Sequence, residues 1–213
     1  MSDRKCQVAI VDHGLGNLYS VKHACLHVGL DAEITFSKQD ILNADAIIVP
    51  GVGACPAAMQ ELKARGLIEP ITSTIASGKP YLGICLGLQL LFEASEEGEG
   101  TPGLGVLKGR VRRFAVSNDL KIPHMGWNQM TSQKAKGKSQ TCPLLEGIPE
   151  DSFFYFVHSY YADPGDRAVV ALETDYGGRF ASMVWRDNLF ATQFHPEKSQ
   201  ALGLRLLKNF VAL

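Results

Sequence analysis

Lys79-Pro80-Tyr81-Leu82-Gly83-Ile84-Cys85-Leu86-Gly87-Leu88-Gln89 decides how this chain reads. Tyr81 and Leu82 start a short apolar strand, and Leu90-Leu91-Phe92-Glu93-Ala94 reads as a helix. A cysteine with glycines at i−2 and i+2, on a strand-to-helix corner, has the pattern of a nucleophile elbow. The glycines suit a tight corner where flanking backbones crowd together. Such a corner aims the sulfur into a pocket and sets it at the positive end of a helix, which favours thiolate over thiol. A plainer reading, a buried structural cysteine at an ordinary turn, stands beside it.

Upstream of the corner, strand and helix alternate. Gln7–Val11, Ala32–Phe36 and Ala44–Val49 read as strands; Leu18–Val28, Pro56–Arg65 and Leu67–Ser77 read as helices. Ser37-Lys38-Gln39-Asp40 resembles a capping box opening another short helix. This alternation predicts an α/β fold, an open, mostly parallel sheet of flavodoxin-like type with helices on both faces. Ligands of such sheets sit beyond the carboxyl ends of the strands, where Cys85 lies. Downstream, Glu96–Gly105 is a polar loop. Gly109–Phe114, Lys121–Pro123, Phe153–Val157, Ala168–Glu173, Phe180–Trp185 and Leu189–Phe194 read as further strands, the source of an antiparallel extension. Lys134–Ser139 reads as a solvated loop and Gln200–Val211 as a helix with Leu202, Leu206, Leu207 and Phe210 on one face. No repeat or linker divides residues 1–213, so one domain is expected.

Composition narrows the function classes. The chain has 213 residues, 46% hydrophobic and 20% charged, with net charge −1. That size buries a sizeable core, and that charge gives no general affinity for nucleic acid or anionic membranes. No apolar run has signal-peptide or membrane-spanning length. Five cysteines, without a Cys-x-x-Cys pair, fit free thiols in a reducing cytoplasm better than disulfides or a zinc site.

A cysteine nucleophile needs a base, and the base needs an orienter. Phe194-His195-Pro196-Glu197 offers both. Residues i and i+2 of an extended segment share a side, and proline biases its neighbour toward extended geometry. Glu197 can then hold the far ring nitrogen of His195 and stabilise its imidazolium. Equally, His195 could merely end a strand and Glu197 cap a helix. An oxyanion hole is also needed. The Leu86 N–H supplies one donor, and Pro50-Gly51-Val52-Gly53 could supply another or be a plain strand-end turn.

Taken in order, Pro50-Gly51-Val52-Gly53, Gly83-Ile84-Cys85-Leu86-Gly87-Leu88-Gln89 and Phe194-His195-Pro196-Glu197 resemble the triad-type (class I) glutamine amidotransferases over essentially the whole chain. The resemblance implies that Cys85 attacks the carboxamide of L-glutamine, that His195 protonates the departing ammonia and then activates water, and that Glu197 orients His195. It implies that Val52 and Gly53, with Leu86, form the oxyanion hole. Gln89 and the backbone near Gly53 would hold the substrate, and His158-Ser159-Tyr160 would meet its carboxylate. No cofactor and no metal are implied.

Asp12-His13-Gly14-Leu15-Gly16-Asn17-Leu18, Pro123-His124-Met125-Gly126-Trp127-Asn128 and His195-Pro196-Glu197-Lys198-Ser199 narrow the likeness to the glutaminase subunits of imidazole glycerol phosphate synthases. Their partner is a (β/α)₈ barrel cyclase, bound as a heterodimer. It uses the ammonia to make imidazole glycerol phosphate and an aminoimidazole carboxamide ribotide in histidine biosynthesis. The likeness puts Asn17, Trp127, Tyr155 and Lys198 toward that partner, with Lys198 in an ion pair, and places control of the glutaminase at Pro50–Gly53. His13 and Leu88 depart from the common tyrosine and methionine; both are expected to lie away from the chemistry, with His13 bearing on docking.

Other readings compete. Gly14-Leu15-Gly16 lacks the third glycine of a dinucleotide fingerprint, since Tyr19 stands there. His23 and His27 lack a third ligand for a metal. Cys6, Cys25, Cys55 and Cys142 read as packing or surface thiols, and Phe153-Phe154-Tyr155-Phe156 as a buried strand with Tyr155 the exception. Against the amidotransferase stand a γ-glutamyl hydrolase acting alone, a decayed binding protein, and a paralogous glutaminase serving another synthase.

Overall fold

A computed structural model of the chain describes residues 7–115, 120–132 and 142–213. Its first half runs β1 (Gln7–Val11), α1 (Leu18–His27), β2 (Asp31–Thr35), α2 (Lys38–Asn43), β3 (Ala46–Gly51), α3 (Cys55–Ala64), α4 (Ile68–Ala76) and β4 (Tyr81–Cys85). Then come α5 (Leu86–Gln89), β5 (Phe92–Ser95), β6 (Thr101–Pro102), β7 (Leu107–Arg113), β8 (His124–Gln129) and β9 (Thr131–Ser132). The chain closes with β10 (Phe153–His158), β11 (Tyr160–Pro164), β12 (Val170–Asp175), β13 (Arg179–Arg186), β14 (Leu189–Thr192) and α6 (Gln200–Val211). Cys6 and the Lys134–Ser139 loop lie outside the described residues.

The parallel half of the twelve-stranded sheet has the order β2-β1-β3-β4-β14. Every residue of β3 and β4 is buried, as befits central strands covered on both faces. Alternation sorts their side chains. Val8, Ile10, Ile48, Leu82 and Ile84 pack with Val21 and Cys25 of α1 and Leu206, Leu207 and Phe210 of α6. Ala9, Val11, Ile47 and Val49 pack with Ile41 of α2, Leu62 of α3 and Ile71 and Ile75 of α4. Each fully buried aliphatic side chain contributes roughly 1.5–3 kcal/mol. Beyond β14 the sheet continues antiparallel through β13, β11 and β7, with β5 parallel to β7. A separate antiparallel pair, β8 with β10, sets Trp127 opposite Tyr155 and His124 opposite His158.

Several local expectations are corrected. The helix expected over Leu90–Ala94 is absent: α5 is a single turn of 4 residues, and Phe92–Ser95 is a strand. A short apolar run does not separate helix from strand by periodicity, and pairing with β6 and β7 decides it. One turn has little aligned dipole, so the helix-end argument for a Cys85 thiolate loses its basis. The strand expected at Lys121–Pro123 begins only at His124, and β11 is a strand the sequence reading does not contain. The capping box is half formed: Ser37 Oγ accepts from Asp40 N at 3.3 Å, but the Asp40 carboxylate takes the Thr35 hydroxyl instead. Along β10, Phe153 is exposed as well as Tyr155 being half-buried, the mark of a strand with one solvated face.

Candidate active site

Register assembles the site. Gly51 at the end of β3 lies opposite Cys85 at the end of β4, and Thr192 at the end of β14 lies opposite Ile84. Three parallel neighbours therefore deliver Pro50–Gly53, Cys85 and Gln193–His195 to one edge of the sheet.

Cys85 adopts φ 54° and ψ −101°, a region unfavourable to side-chain-bearing residues, at a cost of roughly 1–3 kcal/mol. Its neighbours enforce it. A β-carbon on Gly83 would come within 2.6 Å of the Gly87 carbonyl oxygen, and one on Gly87 would overlap the Val49 carbonyl oxygen. The buried Tyr81 hydroxyl donates to Gly87 O at 2.9 Å. The sulfur, in a residue 6% exposed, lies 3.9 Å from the Val157 carbonyl oxygen and 3.6 Å from the Gln193 amide nitrogen.

His195 is held from both backbone sides. Its N–H donates to Tyr155 O at 2.9 Å, and its carbonyl accepts from Ser199 Oγ at 2.7 Å. Its Nδ1 donates to Glu197 Oε1 at 2.8 Å, with both side chains 2% exposed. The expected pairing is made, but by a different route: Pro196–Lys198 is a 3₁₀ turn, and only His195 is extended. Nδ1 being the donor, Nε2 is left for the sulfur. Nε2 makes no well-aligned hydrogen bond, yet Cys85 is close enough to act on it electrostatically. Burial works against the imidazolium, while the charge of Cys85 and then Glu197 favours it, and the balance pushes His195 up to about 10.

A cavity of about 330 Å³ opens over the sulfur, lined by Val52, Gly53, Leu86, Gln89, His158, Ser159 and Tyr160, among others. Every oxyanion and substrate residue read from the sequence is thus gathered there. Gly53 has φ +98°, and Val52 is 39% exposed. Leu86 heads α5, where first-turn N–H groups have no partner within the helix. Gln89 spends both amide hydrogens on the protein, on Tyr160 O at 2.9 Å and Gln193 Oε1 at 3.1 Å, leaving its oxygen for a ligand.

His13 is fully buried, and its Nε2 donates to Pro50 O at 2.7 Å, so it braces the Pro50–Gly53 segment from inside the fold. Burial lowers it from its ordinary value. Two site residues were missed. Glu97 lines the cavity and accepts from Cys55 N at 2.7 Å, although its acidic, glycine-rich surroundings read as solvated loop. Gln193 is fully buried against the sulfur; its position two residues before His195 was the available signal.

Three of the four residues assigned to a partner form one cluster. Trp127, 47% exposed, meets the Tyr155 ring edge-on at 6.2 Å, and Lys198 Nζ lies 5.8 Å from the same ring. Asn17 is exposed and caps α1 through Ser20 N. Cys25, Cys55 and Cys142 are buried, and burial pushes Cys25 up to about 12 and Cys55 up to about 11. His23 and His27 are exposed on α1. Among the described residues no helix is long and apolar enough to cross a membrane.

Comparison with known proteins gives the family. The family model for class-I glutamine amidotransferases matches residues 9–213. The chain is 50% identical to imidazole glycerol phosphate synthase subunit HisH of Nostoc punctiforme, over 96% of this chain and 95% of that protein. It is 48% identical to the HisH subunit of Syntrophotalea carbinolica, over 95% and 98%. In fold it is similar to a crystal structure of a glutamine amidotransferase, at a TM-score of 0.72 and 20% identity over 96% of this chain and 99% of that one. It is similar also to PurLQS from Thermotoga maritima, at a TM-score of 0.72 and 18% identity over 98% of each chain. With half its residues shared along nearly its whole length, the chain belongs to the class-I glutamine amidotransferases and, among them, to the HisH subunits of imidazole glycerol phosphate synthase.

Proposed function

We propose that the chain hydrolyses L-glutamine at Cys85 and hands the ammonia to a (β/α)₈ cyclase subunit that makes imidazole glycerol phosphate and an aminoimidazole carboxamide ribotide. The observation that carries this reading is the buried His195–Glu197 pair, 2.8 Å apart, close enough to the sulfur on its strained corner to feel its charge. Cys85 Sγ attacks the side-chain carboxamide carbon, and the oxygen gains charge within reach of the Leu86 and Val52–Gly53 backbone. His195 gives its proton to the departing ammonia, and a γ-glutamyl thioester remains. Water then loses a proton to His195 and attacks the thioester, which releases glutamate and restores the sulfur. Glu197 keeps Nδ1 protonated and the ring aligned throughout. The Gln89 oxygen and the Glu97 carboxylate suit the substrate's α-ammonium, and the His158–Tyr160 backbone suits its carboxylate.

Ammonia free in neutral water is mostly ammonium, which is not nucleophilic, so delivery needs an enclosed route to the partner. The Trp127–Tyr155–Lys198 cluster, with Asn17, is the surface we assign to that docking. His13, bonded to Pro50 O, sits where a change in the docked face would reach the oxyanion segment.

The test is glutamate release by the chain alone, with the cyclase, and with cyclase plus its ribotide, with Cys85→Ala as blank. Low activity alone and a large rise only in the full mixture are expected. Strong activity without a partner points to a hydrolase acting alone. Activation by a different synthase, with none by the cyclase, points to a paralogous glutaminase.

A further inference from the structure

Gln193 is the first residue after β14, one step beyond Thr192, which pairs with Ile84 just before Cys85. It is fully buried, an expensive place for an amide without partners. Its two ends face different groups. Oε1 accepts from Gln89 Nε2 at 3.1 Å, and Nε2 lies 3.6 Å from Cys85 Sγ.

The orientation of that amide follows from one backbone atom. The Tyr160 carbonyl oxygen only accepts, and it takes Gln89 Nε2 at 2.9 Å. Gln89 must therefore present nitrogen to Tyr160 and to Gln193, so Gln193 presents oxygen to Gln89 and its NH₂ to the sulfur. The second donor on the same carbonyl is His158 Nδ1, at 2.7 Å. That makes His158 Nε2 an acceptor for His124 Nδ1 at 2.9 Å, and His124 Nε2 an acceptor for Asn128 Nδ2 at 3.2 Å. One carbonyl thus sets two amides and two imidazoles, from β8 to the reacting atom.

We infer that Gln193 is a further catalytic residue: its amide N–H donates to Cys85 Sγ and favours the charged sulfur, and the Tyr160 carbonyl, acting through Gln89, fixes it in that orientation. The inference rests on the reading of Cys85 as the reacting thiol. The opposing contact is the Val157 carbonyl at 3.9 Å, an acceptor that favours the S–H form. The ionisable groups around the sulfur are His195 with Glu197 behind it, His158, Tyr160, and Glu97 across the cavity. Burial holds His158 and His124 neutral, at about 3 and about 4, so neither supplies positive charge at neutral pH.

The test is the pH profile of Cys85 alkylation by iodoacetamide in the full chain, read by peptide mass spectrometry. Gln193→Glu keeps the volume and the acceptor for Gln89 but turns oxygen toward the sulfur. It should slow alkylation at neutral pH about tenfold and move the midpoint up by about one pH unit. Gln193→Met removes both hydrogen bonds and should slow it about threefold. Profiles of both variants that superimpose on the wild type overturn the inference. If the Gln193 variants do not fold, Gln89→Met releases only the clamp, and about a threefold loss is expected; no loss overturns the inference. A wild-type Cys85 no faster than glutathione at neutral pH would instead sink the reading of Cys85 as the reacting thiol.

Discussion

Glu197→Gln separates charge from position in the His195 support. The substitution keeps the volume and an oxygen for His195 Nδ1, now 2.8 Å from a carboxylate oxygen. Two unit charges about 4 Å apart interact by about 4 kcal/mol at an effective dielectric near 20. Some of this is already spent on dehydrating the carboxylate, whose Oε2 has no hydrogen-bond partner among the described residues. A net loss of about 2–3 kcal/mol is therefore expected in thioester hydrolysis, where His195, neutral after protonating the ammonia, becomes charged again as it takes the proton of water. That corresponds to a fall of about 30- to 150-fold in that step and, once it limits turnover, a comparable fall in glutaminase kcat. The assay is glutamate release by the complex with cyclase and ribotide. The loss should fall on kcat and not appear as a raised KM, because Glu197 sits behind the ring and away from bound glutamine. Glu197→Ala, which loses position as well as charge, should be worse. A Glu197→Gln enzyme within about threefold of wild type would refute the electrostatic reasoning, its range being far below that Coulomb figure.

Three further outcomes follow from the same geometry. His195 is raised from 6.5 to about 10, so the stability it contributes is complete below pH ~6.5 and is lost as pH rises toward 10; urea midpoints should fall across that window, and less in His195→Gln, parallel curves being the contrary result. Gly87→Ala drives a β-carbon into the Val49 carbonyl, backbone against backbone, and should cost about 3 kcal/mol or prevent folding; a urea midpoint close to wild type would contradict the tight corner. Trp127→Ala should weaken cyclase binding about 10- to 100-fold by calorimetry while leaving thermal stability nearly unchanged, because the ring is 47% exposed; unchanged affinity would move the docking surface elsewhere.

What could be read from the chain alone was whatever chemistry is local in sequence. The corner was legible because Gly83 and Gly87 flank Cys85 in sequence, and Gly83 backs onto the Gly87 carbonyl of the same turn. The His195–Glu197 pair was legible because its members are two residues apart. The parallel half was legible because β3 and β4 are apolar throughout. Contacts made across the sheet were not. His13 reaches Pro50 across 37 positions, and Gln193 reaches Cys85 across 108. No periodicity encodes either, and both depend on which strands become neighbours. Leu90–Ala94 misled for a related reason: its apolar run suits either a helix or a strand, and pairing of Phe92–Ser95 with β6 and β7 settles it. Glu97 was hidden by its own company, since Glu96–Gly105 reads as a polar loop.

The account's central claim is that Cys85 carries the γ-glutamyl group. Acid-quenched mass spectrometry of the complex with cyclase and ribotide, turning over glutamine, tests it most directly. A γ-glutamyl adduct on the peptide containing Cys85 is predicted, lost on hydroxylamine treatment and absent from Cys85→Ala. An adduct on another residue, or full glutaminase activity in Cys85→Ala, would contradict the account.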